Sequence, residues 1–340
     1  KVLVTGGAGY IGSHTIVELA HAGYEPIILD NFSNSQRHVP ARIEEILNRS
    51  IKCYDIDCRD EAKLRQVFKE EENIAGVLHF AAFKAVGESV NEPLKYYQNN
   101  LGAMTTLLGV MSEFEVQDFV FSSSCTVYGS PDINPVTEDS PFKPASSPYG
   151  YTKQVGERIL EDLVQGESGF RVAVLRYFNP IGAHPSSLIG ELPLGPPNNL
   201  VPYITQTAIG IRKELTVFGG DYDTPDGTCI RDYIHVVDLA KAHVKALGYL
   251  TATEKDSFLL AVNIGTGNGN SVLEVVNTFQ AVTEQKLNYR IGDRRSGDVE
   301  QVWAASGGNA ELLGWKAELS LTDALRDAWN WEVALKQRPQ

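Results

Sequence analysis

Tyr149 and Lys153 stand four residues apart, so on a helix they share one face. A tyrosine phenol titrates near pH ~10 and is a poor base at neutral pH. Lowering it by about 3 units takes about 4 kcal/mol of extra phenolate stabilisation. An ammonium one helical turn away supplies part of that, and a second cation must supply the rest. A Tyr-x-x-x-Lys pair by itself is common, and its ordinary reading is a pair on a helix surface. Here it follows Phe121-Ser122-Ser123-Ser124-Cys125-Thr126-Val127-Tyr128-Gly129, which reads as a strand ending in a run of hydroxyls. In parallel sheets ligands bind beyond the C-terminal ends of strands. Ser124 or Thr126 is placed to hydrogen-bond a reacting hydroxyl there, although serines also serve ordinary turns.

A second constellation lies at the start of the chain. Lys1–Thr5 reads as a strand that runs into Gly6-Gly7-Ala8-Gly9-Tyr10-Ile11-Gly12 and then into a helical pattern. Side chains at these glycines would obstruct the turn, the approach of a pyrophosphate or the packing of helix on strand. The helix start offers free N–H groups and partial positive charge to phosphates. Asp30 closes the next strand and suits the hydroxyls of an adenosine ribose. No arginine follows at once in Asn31-Phe32-Ser33, and the carboxylate repels a 2′-phosphate, so NAD is expected rather than NADP. Oxidised nicotinamide is then the second cation that Tyr149 requires.

The elements that must position these residues are legible as alternation. Val2–Thr5, Pro26–Leu29, Val77–Phe80, Asp118–Ser122 and Ala173–Tyr177 read as short buried strands. Between them Ile11–Ala22, Glu61–Lys69, Leu94–Phe114 and Lys153–Val164 read as helices. The alternation implies an α/β fold, a Rossmann-type doubly wound parallel sheet, with a smaller α/β C-terminal substrate domain. After Phe178 the chain becomes rich in proline and loops. Val236–Leu247 reads as a helix again and Leu260–Ile264 as a buried strand. The expected division is residues 1–178 for NAD, joined by about 232–265, and residues 179–340 mainly for the substrate.

Composition bounds the function. The chain has 340 residues, 43% hydrophobic and 21% charged, the profile of an ordinary globular protein. With 30 Lys and Arg against 43 Asp and Glu, the formal charge is −13. That excludes a general binder of nucleic acid or of anionic membranes, which needs a basic surface. Cys53, Cys58, Cys125 and Cys229 have neither disulfide-framework nor metal-site spacing, so no metal is expected. There is no signal-peptide layout and no apolar run long enough to span a bilayer, so a cytoplasmic protein is expected. The chain opens inside a strand, which points to a short preceding leader.

Longer motifs carry a resemblance. They are His79-Phe80-Ala81-Ala82-Phe83-Lys84-Ala85-Val86-Gly87-Glu88-Ser89, Tyr96 to Asn100, Pro148 to Lys153, Leu175 to Pro180, Gly195 to Leu200, Arg231 to Val236 and Arg294-Arg295-Ser296-Gly297-Asp298. Together with the glycine loop they resemble the extended short-chain dehydrogenase/reductase family over nearly the whole chain, most closely its nucleotide-sugar 4-epimerases. The resemblance implies that Tyr149 is the base, that Lys153 tunes it and holds the nicotinamide ribose, and that Ser124 assists proton transfer. It implies an NAD path along Gly6, Gly9, Tyr10, Ile11, Gly12, Asp30, Asn31, Phe80, Ala81, Ala82, Lys84, Asn99, Ser122 and Tyr177, with Asp57 and Cys58 near the adenine. Lys84, Ser124, Thr126, Tyr149, Asn179, Asn198, Asn199, Leu200, Thr216, Phe218, Arg231, Tyr233, Arg295, Asp298 and Val302 would meet a UDP-sugar. The implied reaction takes the 4-hydroxyl proton to Tyr149 and the C4 hydride to NAD+, turns the 4-keto sugar over, and returns hydride to its other face. At Val302 the family uses side-chain size to set sugar-pocket volume, so a small residue implies that N-acetylated UDP-sugars are also accepted. Neighbouring side chains that fill the space would cancel that. A homodimer through Leu94–Phe114 and Lys153–Val164 is also implied.

Sister chemistries are weaker readings. The sister 4,6-dehydratases of the resembled family use an acidic pair near this segment to eliminate water, and Ser124-Cys125-Thr126-Val127-Tyr128 holds no Asp or Glu. Decarboxylation needs a group for a C6 carboxylate, and none stands out. A nucleotide-sensing protein that has lost catalysis would not need Ser124, Tyr149 and Lys153 together.

Overall fold

Short strands dominated by Val, Ile, Leu and Phe alternate with helices through the first half of the chain, and the structure, a computed structural model, shows what they build. It describes residues 1–166, 169–295, 298–305 and 307–338. In chain order come β1 (Val2–Thr5), α1 (Tyr10–His21), β2 (Pro26–Asp30), α2 (Val39–Leu47), β3 (Lys52–Asp55), α3 (Glu61–Glu70), β4 (Gly76–His79), α4 (Val86–Asn91), α5 (Pro93–Tyr96), α6 (Gly102–Glu113) and β5 (Asp118–Ser124). Then follow α7 (Pro148–Gln165), β6 (Arg171–Tyr177), β7 (Asn179–Ile181), α8 (Leu200–Ala208), β8 (Leu215–Phe218), β9 (Ile230–His235), α9 (Val236–Ala252) and β10 (Phe258–Ile264). Last are β11 (Gly269–Ser271), α10 (Val272–Thr283), β12 (Tyr289–Gly292), β13 (Gln301–Val302) and α11 (Leu321–Gln337).

Seven parallel strands form the main sheet in the order β10-β6-β5-β4-β1-β2-β3. The order reverses between β1 and β4, and that is where such sheets open a ligand crevice. Successive residues face opposite sides, so each strand feeds two cores. Val2 and Val4 pack with Ile16 of α1 and Leu247 of α9, whereas Leu3 packs with Phe68 of α3 and Met104 of α6. A third core joins α8, α10 and α11 to β8 and Tyr233. The doubly wound expectation holds, and α8, β8 and α10 to α11 form the smaller α/β layer beside it.

Local signals explain the boundaries. Ser147 caps α7 by accepting from the Gly150 N–H at 3.2 Å, and Pro148 occupies the first helical position. The helix therefore starts before Lys153 and includes Tyr149. Ser271 with Glu274 and Ser320 with Asp323 make capping boxes for α10 and α11, helices the apolar periodicity alone did not single out. The helix expected over Leu94–Phe114 is present as a continuous helical stretch from Pro93 to Glu113, but its α geometry is interrupted. Pro93 opens a short α5, and a π turn over Tyr97–Leu101 precedes α6. That turn aims Asn100 at the chain after β4: Asn100 Oδ1 accepts from the Phe83 N–H at 2.9 Å, and its amide donates to the Phe83 carbonyl at 3.0 Å and to Thr152 at 3.2 Å. β3 escaped the sequence reading because Lys52-Cys53-Tyr54-Asp55 is an exposed edge strand without an apolar run.

Helix α7 lies close on β5 because Gly156 has no side chain. A Cβ there would sit 2.8 Å from Cζ of Phe121. Alanine gains about 1 kcal/mol of helix propensity but overpacking costs about 1–3 kcal/mol. Gly156→Ala is therefore expected to lower the urea midpoint; a raised midpoint would show that α7 can withdraw from the sheet freely.

Candidate functional site

The glycine turn is built for close approach. Gly6 has φ +68°, and a Cβ on it would lie 2.8 Å from the Ala81 nitrogen. A Cβ on Gly12 would overlap the Gly6 carbonyl. Gly9 begins α1 with no side-chain cap, so the first N–H groups, including those of Tyr10 and Ile11, remain for a ligand. Gly6, Gly9, Asp30, Asn31, Asp57, Cys58, Phe80, Ala81, Ala82 and Asn99 line one cleft at the switch point. These residues, expected along a dinucleotide, come from five separate stretches of chain. A cradle of glycines under a helix start, closed by a carboxylate, fits a bound dinucleotide.

Asp30 is 8% exposed and its oxygens are partly committed. Oδ2 accepts from the Ala8 N–H at 3.0 Å, and Oδ1 accepts from the Phe32 N–H at 2.8 Å and the Ser35 hydroxyl at 2.9 Å. A carboxylate has about four acceptor positions, so about one is left for a ribose hydroxyl. Burial raises its pKa, and these bonds oppose that. Asp57 is instead held down at about 2, chiefly by the Arg59 fork, with help from Asn31. Burial pushes the Cys58 thiol up to about 12, so it is a packing residue there and not a nucleophile. Tyr10 turns its phenol away and donates to the Gly182 carbonyl at 2.7 Å. Its contribution to the cleft is its backbone.

Ser124, Tyr149 and Lys153 meet where β5 ends under α7. They are 6%, 8% and 5% exposed. Lys153 Nζ donates to the Ser122 carbonyl at 2.5 Å and lies 4.9 Å from the centre of the Phe121 ring. The Ser122 hydroxyl pairs with the Tyr177 phenol at 2.5 Å. Burial raises the Tyr149 pKa well above the ordinary phenol value, the neighbouring Tyr177 adds to that, and a hydrogen bond with Ser124 opposes it. Burial also lowers Lys153 to about 8, with Glu157 pulling it back up. The protein alone therefore keeps Tyr149 protonated at neutral pH. A cation beside it is needed to make it a base.

The residues expected at a nucleotide sugar fall into two groups. Asn179 and Tyr233 are register partners of β7 and β9, Val302 pairs with Arg231, and Thr126 lies in the turn after β5. Asn179 Oδ1 and Thr126 Oγ1 are buried without a protein partner. A buried acceptor or hydroxyl without a partner is costly, and a hydroxylated ligand relieves it. Farther out, Arg295 forks onto Asp298, with the shortest bond 2.6 Å, and stacks 5.6 Å from the Phe218 ring. Phe218 and Thr216 belong to β8. Ser296 and Gly297 of that motif lie outside the described residues. Arg231 donates to the carbonyls of Ile230 and Glu300 at 2.8 and 3.2 Å. Leu200 opens α8 and packs into the third core, and Asn198 before it is exposed.

Sequence reasoning missed three positioning groups. Glu191 accepts from Lys84 at 3.0 Å and from Asn199 at 2.6 Å, so it joins a residue expected along NAD to one expected at the sugar. Asn100 clamps Phe83, beside Lys84. Glu157 sits one turn past Lys153 and meets Ser123 and Arg176. Asn100 stands in one of the longer motifs and the other two in none, but the partners of all three were hidden, because each acts across the fold.

Residues 2–265 match the NAD dependent epimerase/dehydratase family. A UDP-glucose 4-epimerase of Dictyostelium discoideum is 50% identical over 332 residues, which is 98% of this chain and 95% of that one. The crystal structure of UDP-glucose 4-epimerase from Bifidobacterium longum in complex with NAD+ and UDP superposes with a TM-score of 0.93 at 46% identity over 98% of both chains. That of the Stenotrophomonas maltophila enzyme, with bound NAD and formylated UDP-arabinopyranose, gives 0.94 at 47% identity over 99% of both.

Replacing Gly12 by valine places a branched side chain against the Gly6 carbonyl. Dinucleotide affinity of Gly12→Val is expected to fall more than about tenfold, a loss of about 1.4 kcal/mol or more. Titration calorimetry with NAD checks it, and unchanged affinity would place the pyrophosphate elsewhere.

Proposed function

This chain belongs to the NAD dependent epimerase/dehydratase family, and we propose that it interconverts UDP-glucose and UDP-galactose by inverting C4, with NAD as its cofactor. The observation that carries this reading is the buried Ser124–Tyr149–Lys153 group next to the dinucleotide cleft, with the unpartnered Thr126 and Asn179 oxygens beyond it. When bound, NAD supplies a hydride acceptor for C4 that is also the donor for the return. The chain's own residues handle the proton. Tyr149 Oη takes it from the 4-hydroxyl, Ser124 bonds to that oxygen and steadies it, and Lys153 stabilises the phenolate. Burial excludes water from the 4-keto sugar between the two half-reactions.

Gripping and turning must be separate tasks. Arg231, Arg295, Asp298, Phe218 and Thr216 serve the uridine diphosphate end, while Asn179, Asn199 and Tyr233 border the sugar. In this reading residues 1–178 with about 232–265 carry NAD and the remainder carries most of the UDP-sugar. Ligand charge also gives Arg295 and Lys84 something to gain, because each is now paired with a carboxylate of the protein.

A finer substrate range is proposed from the small side chain of Val302. It is 5% exposed, among Val127, Tyr128, Val136, Phe178 and Ala304. We infer that it leaves room for an N-acetyl group, so UDP-GalNAc is also turned over. The chain is further read as a cytoplasmic homodimer. Support comes from the large apolar side chains left exposed on α4, α5 and α7, where Val90, Leu94 and Tyr151 are 59%, 70% and 50% accessible. Among the described residues no helix is long and apolar enough to cross a membrane.

Purified protein is expected to convert UDP-galactose without added NAD. Tyr149→Phe should keep UDP affinity yet lose turnover by about 10²–10⁴-fold; retained turnover removes Tyr149 as the base. Wild type should also convert UDP-GalNAc, and Val302→Tyr should lose that conversion while keeping UDP-galactose. Wild type inert towards UDP-GalNAc overturns the Val302 reading alone.

A further inference from the structure

Behind the reacting side chains lies a buried ion pair that the mechanism above does not use. Glu157 of α7 and Arg176 of β6 are 1% and 6% exposed. Arg176 reaches the carboxylate with Nε at 3.1 Å from both oxygens and Nη2 at 2.7 Å from Oε2. Glu157 Oε1 also accepts from the Ser123 hydroxyl at 2.5 Å. Burying two charges is expensive, and a pair of well-packed apolar residues often serves stability as well or better. Stability alone is therefore a poor reason for this pair.

Its position gives another. Ser122, Ser123 and Ser124 are consecutive on β5, and alternation sends Ser123 to the face that α7 covers. Glu157 thus fastens α7 to the middle residue of the three. On one side of it the Ser122 carbonyl holds Lys153, and on the other Ser124 bonds Tyr149. Glu157 is also four residues after Lys153, one turn along the same face. Arg176 extends the anchorage by donating to the Tyr128 phenol at 3.1 Å and to the Glu138 carbonyl at 3.0 Å, beyond the turn that carries Thr126.

We propose that Glu157 is a positioning residue of the reaction centre, which ties α7 to the end of β5 and keeps a negative charge one helical turn behind Lys153. The inference rests on the epimerase reading of Tyr149 and Lys153. Around Lys153 stand Tyr149 and Glu157 on its own helix and His79 at the end of β4. Tyr177 comes from β6, and Tyr96 and Cys125 lie beside Tyr149. His79 is held neutral by burial, with a pKa of about 3. Among the described residues Glu157 is the carboxylate that acts on Lys153, and it opposes the burial that lowers the lysine. Its removal leaves that burial unopposed, so Lys153 loses its proton at lower pH. Tyr149 loses its cationic neighbour in the same step, and turnover falls on the alkaline side.

The test is the pH profile of kcat for UDP-galactose in the holoenzyme. Glu157→Gln is expected to move the alkaline limb down by about one unit, a loss of about tenfold above it, with KM nearly unchanged. Because that variant leaves Arg176 unpaired, Glu157→Gln/Arg176→Met is made alongside it to remove both charges, and its limb should move in the same direction but less far, because the opposing cation is removed with the carboxylate. Glu157→Asp keeps the charge and should keep the wild-type limb even if its melting temperature falls. A limb that stays in place in both glutamine variants overturns the proposal, as does an aspartate variant displaced as far as glutamine. A wild-type holoenzyme without epimerase turnover overturns the functional reading first and this inference with it.

Discussion

The contact on which the site depends is the Lys153 ammonium against the Ser122 carbonyl, in surroundings where the lysine is 5% exposed. A buried cation must be held by acceptors, and here the acceptor is the last turn-free stretch of a central strand. This fixes α7 over β5 and, four residues earlier, sets Tyr149 beside Ser124. Neighbouring features serve that juxtaposition. Gly156 lets the helix approach, Tyr177 steadies the Ser122 hydroxyl, and Pro148 with Ser147 starts the helix early enough to include the tyrosine.

The free protein holds these groups in a resting electrostatic state. Burial drives Tyr149 away from the phenolate and Lys153 away from the ammonium. In the proposed reaction such a site gains its base when a cation enters beside the phenol. That links proton chemistry to the presence of the oxidised cofactor, which discourages proton transfer when no hydride can move. The net charge of −13 is consistent with two diphosphate ligands for the same local reason. The cations near the clefts are few, and in the protein alone they are occupied: Lys84 by Glu191, Arg295 by Asp298, Arg231 by carbonyls.

Much of this was legible in the chain. The glycine turn, Asp30, the serine run and Tyr149 with Lys153 are local patterns whose spacing carries their geometry. The strands of the parallel sheet are legible because burial on both faces demands continuous apolar runs. The helix over Leu94–Phe114 was legible, but the π segment inside it was not, because a π turn costs no hydrophobicity. Its register change shows only in what Asn100 grips, and Phe83 is 17 residues away along the chain. β3 was missed because an edge strand with exposed side chains need not be apolar.

By itself the sequence determined the doubly wound architecture and the dinucleotide turn and singled out the side chains proposed to react, because each depends on residues close together in the chain. Tertiary structure alone decided which charges are spent and which are free. Glu191 meets Lys84 across 107 positions, Glu157 of α7 meets Ser123 of β5 across 34, and Arg176 on the next strand meets Glu157 across 19. Such pairs have no periodicity and no motif. They exist because the sheet's crossovers bring remote residues into a low-dielectric interior, where a charge must find a partner or lose its proton.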